Sequence, residues 1–72
     1  MNKREKHLET VYKIKEKVKE AKHIDDFQKE IILNKLNEWM QDEKAVSLIP
    51  SLLMQWYEKD IKPILDELGL TD

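Results

Sequence analysis

Apolar side chains recur every three or four positions along most of this chain, and one glycine and two prolines are all that punctuate it. That period matches the 3.6-residue turn of an α-helix, and so few breakers leave room for long helices with few connections. Between Lys3 and Lys22 the apolar positions are Leu8, Val11, Ile14, Val18 and Ala21, one stripe on a helix face. A strand reading competes here, because Tyr12, Ile14 and Val18 alternate with Lys13, Lys15, Lys17 and Lys19. Glu16 breaks that alternation on its apolar side, and Glu, Lys and Ala favour helix. Glu9–Lys13 and Glu16–Lys19 add favourable pairs one turn apart, partly offset by the like charges of Glu16 and Glu20.

His23-Ile24-Asp25-Asp26 reads as a break and restart. Asp25 has Gln28 three residues on, the spacing of a capping box, and Asp26 puts negative charge at the positive helix end. Phe27, Ile31, Leu33, Leu36, Trp39 and Met40, widened by Ile24 and a central Ile32, predict a second helix to about Asp42 or Glu43. It is expected to be the most buried. Gln41-Asp42-Glu43-Lys44 is expected to be a polar connector, with Ser47 capping a third helix and Pro50 in its first turn. Ile49, Leu52, Leu53, Trp56, Tyr57 and Ile61 follow. Pro63 lacks an N–H and crowds the carbonyl four residues back, which predicts a kink or restart near Asp60–Lys62. Ile64, Leu65 and Leu68 continue the face. Gly69 suits a left-handed C-cap that folds Leu70 onto Leu65. The expected fold is all-α: a small antiparallel three-helix bundle, the third helix kinked or restarted near Pro63, in a single domain over 1–72.

At 72 residues the core is marginal, since such a chain buries only roughly 60% of the surface its unfolded form exposes. Domains of this size usually add disulfides, a metal or a partner subunit. The absence of cysteine removes disulfides and thiolate metal sites and agrees with a reducing compartment. Good helix packing or oligomerisation remains. No apolar run approaches the ~20 residues of a membrane span. The basic N-terminus has no apolar stretch behind it, so it does not read as a secretory signal, and cytoplasm is the expected compartment.

The charges are unevenly placed. Residues 1–22 carry eight Lys or Arg against four Glu, a formal +4, and residues 23–72 carry five Lys against eleven acids, a formal −6. Either the basic segment packs on the acidic remainder or it faces a partner. As a nucleic-acid surface it would neutralise phosphates in a salt-dependent way. Its lysines, however, flank the apolar stripe on both sides, as stems covering a core edge do. It holds one Arg, whereas base reading favours Arg. Membrane-surface binding would want larger apolar residues facing the lysines.

Catalytic signatures are lacking: no cysteine nucleophile, no triad signal around Ser47 and Ser51, and too little glycine for a phosphate loop. Glu20 and His23, with Glu16 one turn earlier, have the spacing of a carboxylate-bridged metal site, but a second such pair is missing unless a homodimer supplies it. A solvated helix end explains them more simply. No cofactor is expected. The aromatic residues are the better functional candidates. Trp56 and Tyr57 are adjacent, hence about 100° apart on a helix, and cannot both face one small core. Trp39, Met40, Trp56 and Tyr57 are therefore the expected protein interface, weighed against simple core packing. The functional expectation is a non-enzymatic helical interaction module, a regulator or adaptor with an unknown protein partner and a possible homodimer. The alternative is a nucleic-acid-binding module using the basic helix.

Overall fold

The computed structural model describes residues 3–70 and consists of four helices: α1 (Lys3–Glu20), α2 (Asp26–Met40), α3 (Glu43–Val46) and α4 (Ile49–Glu67). The side chains of Lys3 and Arg4, counted in the basic segment, lie outside the described residues. Helix α1 forms as its stripe demands. Val11, Ile14 and Val18 are fully buried, with Leu8 and Ala21 packed at the margin. Cross-helix contacts fix the directions. Lys15 reaches Asn37 and Lys29 reaches the Lys19 carbonyl, so α1 and α2 run antiparallel. Lys17 meets Glu67 while His23 meets Asp60, so the second half of α4 also runs antiparallel to α1.

Helix α2 starts where the capping signal places it. The Asp25 carboxylate accepts from the Gln28 N–H at 2.7 Å, and the Asp25 carbonyl takes the Lys29 N–H at 2.9 Å. Asp25→Ala is expected to cost about 1 kcal/mol, the usual worth of such a cap. Urea unfolding followed by circular dichroism measures it, and an unchanged midpoint would deny the cap any energetic role. Helix α2 is not the most buried element. Only Ile32 and Leu36 are buried on it, against five residues of α4, and Phe27 is 75% exposed.

Three expectations about the third rod and the connector before it are corrected. The polar connector is partly helical: the Asp42 carboxylate accepts from Lys44 N–H at 2.9 Å, nucleating the single turn α3 and carrying Val46 into the core. Ser47 therefore closes α3 rather than capping the next helix. Helix α4 begins after Leu48 without a side-chain cap, with Pro50 in its first turn. The break in α4 falls at Tyr57 (φ −137°, ψ 34°), six residues before Pro63 and not at Asp60–Lys62. The two halves fold toward one another. Pro50, Ser51 and Met54 from the first half line one concavity with Lys62, Leu65, Asp66 and Leu70 from beyond the break. A straight helix would hold Pro50 and Leu70 about 30 Å apart along its axis.

The burial pattern explains the bend. At 100° per residue, Ile49 and Leu65 would sit about 160° apart on a straight rod, too far round to share one small core. Breaking the rod between them lets Ile49, Leu53, Ile61, Ile64 and Leu65 all bury together with Val11, Ile14, Ile32 and Leu36. The far end closes as expected. Gly69 adopts φ +72° with open space around it, so the position requires only its backbone freedom. Leu70 N–H reaches the Leu65 carbonyl at 2.8 Å and Gly69 N–H the Asp66 carbonyl at 3.1 Å, both bonds of a Schellman motif.

Candidate interaction site

Every fully buried side chain of the described core is Val, Ile or Leu. The aromatic rings are all displaced to its edge or beyond. Trp39 and Tyr57 pack partly buried against the core, while Tyr12, Phe27 and Trp56 are exposed. Three of the four residues expected at an interface come together. Trp39, Trp56 and Tyr57 line one notch with Lys35, where the C-terminal turn of α2 meets the break in α4. Met40, the fourth, packs partly buried against the core and does not line the notch.

The geometry follows from local structure. Lys35 and Trp39 are four residues apart on α2, hence stacked on one helix face. Leu53 faces the core fully buried, so Tyr57 one turn later also leans inward and Trp56 points about 100° away. Trp56 keeps 66% of its surface in water as a result. The charged rim is nearly neutral, because Lys35 Nζ lies 3.5 Å from Glu38 Oε2, one turn on. Such an exposed pair contributes little to stability, and it leaves the aromatic faces as the dominant chemistry of the notch. Sequence reasoning missed Lys35, although its i,i+4 spacing to Trp39 was the available signal. It also missed the exposure of Phe27 and of Tyr12, whose ring sits 6.0 Å from Lys15 Nζ.

The basic helix is partly engaged within the molecule. Lys15 donates to Asn37 Oδ1 at 2.9 Å, and Lys17 donates to Glu67 Oε1 at 2.7 Å. The hydrogen bond and charge of Glu67 hold the Lys17 ammonium above its usual pKa, with Glu20 adding to the effect. Lys19 sits 3.6 Å from Glu16 in the same helix.

The Glu16, Glu20 and His23 constellation is not assembled for metal. Among the described residues no group of three or more His, Asp or Glu is placed to hold an ion. Glu16 pairs with Lys19, and the His23 ring donates from Nε2 to the Asp60 carbonyl at 2.9 Å. That bond ties the α1–α2 connection to the second half of α4. No described helix is long and apolar enough to cross a membrane. Comparison with protein-family models, with curated proteins and with solved structures finds no match to this chain.

Proposed function

We propose that this chain is a non-enzymatic helical interaction module that binds other proteins, a second copy of itself among them, through the notch at Trp56. The observation that carries the reading is the 66% exposure of Trp56 beside two further aromatic rings in one concavity. Trp and Tyr supply large, rigid apolar area with a polar edge, and they dominate the energetics of interfaces. An indole left mostly in water next to a lined concavity gains most when a partner surface covers it. The small core of a 72-residue chain adds to the gain from association. The lysines of α1 lend less support to nucleic-acid binding, since Lys15 and Lys17 are engaged with Asn37 and Glu67.

Trp56→Ala tests the reading. Because the ring is exposed, its removal is expected to change folding stability by no more than about 0.5 kcal/mol. As the centre of an interface it is expected to weaken association by roughly 30-fold or more, the cost of a hot-spot truncation. Sedimentation at micromolar concentration reports self-association, and capture from the native host reports other partners. A strictly monomeric protein whose captured partners survive Trp56→Ala would overturn the proposal.

A further inference from the structure

The break at Tyr57 opposes the local sequence. Gln55, Trp56, Tyr57, Glu58 and Lys59 contain no glycine, proline or asparagine, and Gln, Glu and Lys are good helix formers. Tyr57 is the residue of Ile49–Glu67 whose backbone leaves the helical region, and it divides the segment into two helical halves, the second of which contains Pro63. Nothing local at residues 55–59 therefore calls for a break at Tyr57, and the burial of both halves in one core is what bends the rod there.

A second copy can satisfy both demands, and we propose that the chain forms an exchanged dimer by straightening α4 at Tyr57. Each second half then packs on the other chain. Every contact it makes is recovered between chains. Ile61, Ile64 and Leu65 fill the partner's core, Glu67 meets Lys17, and the Asp60 carbonyl meets His23. Only the hinge itself changes conformation, which is what makes such an exchange inexpensive. The exchange goes beyond the notch reading, because it uses core contacts and needs no exposed ring.

The chain lacks cysteine, so single cysteines can be placed cleanly. One chain carries Lys17→Cys and another Glu67→Cys, at side chains that touch at 2.7 Å. The two are unfolded together, refolded at high concentration and treated with a short bismaleimide, with each variant alone as control. The expected result is a covalent dimer formed in the mixture well above either control, and persisting when both chains also carry Trp56→Ala. A dimer without that link, or no dimer at all, overturns the proposal.

Discussion

Leu53→Ala is expected to lower the unfolding free energy by about 2–5 kcal/mol, the range for truncating a fully buried leucine. Leu53 has no exposed surface and lies one turn before the break in α4, within the cluster that joins Val11, Ile14, Ile32 and Leu36. A chain of 72 residues has only about 4–11 kcal/mol in total, at 0.05–0.15 per residue. The substitution is therefore expected to leave a large fraction of the protein unfolded on warming. Phe27→Ala is the matched control, a larger side chain whose exposure predicts a change of no more than about 0.5 kcal/mol. Urea titration followed by circular dichroism separates the two. Equal losses at Leu53 and Phe27 would contradict the assignment of the core.

Pro63→Ala is expected to act in the opposite direction, raising stability by about 1–2 kcal/mol. Pro63 is exposed and lies inside α4, so its removal leaves no cavity. Alanine restores the N–H that a helix directs at the carbonyl of Lys59 and relieves the ring's crowding there, a gain of up to ~3 kcal/mol in a regular helix. The more flexible unfolded chain returns about 0.4–1 kcal/mol of that. Each kcal/mol shifts the melting midpoint of a domain this small by about 4–8 °C, and a thermal scan reads the change directly. A lowered midpoint would mean that Pro63 itself, and not the burial of two halves of one stripe, sets the course of α4.

Helix boundaries near strong local chemistry were legible from residues alone. Asp25 with Gln28 placed the start of α2, and Gly69 with Leu70 placed the end of α4, because caps depend on side chains a few positions away. The stripe from Leu8 to Ala21 was legible for the same reason. Ser47 misled because two acceptors compete in that stretch. Asp42 captured the first turn and drew Val46 inward, leaving Ser47 at the wrong end of α3. For the notch, the adjacency of Trp56 and Tyr57 established that one ring turns away from the core. Which one, and that Trp39 and Lys35 would sit beside it, depended on where α4 bends.

The amino-acid sequence by itself determined that this protein is helical, where α2 begins and α4 ends, and which stripe of α1 is buried. Those properties rest on interactions within about one helical turn. The tertiary structure alone decided that α4 breaks at Tyr57, that Phe27 lies at the surface and that the aromatic rings collect outside an aliphatic core. A stripe that drifts around its helix can be buried by one core only if the rod bends. Where it bends depends on helices brought together from distant parts of the chain, which no local pattern encodes.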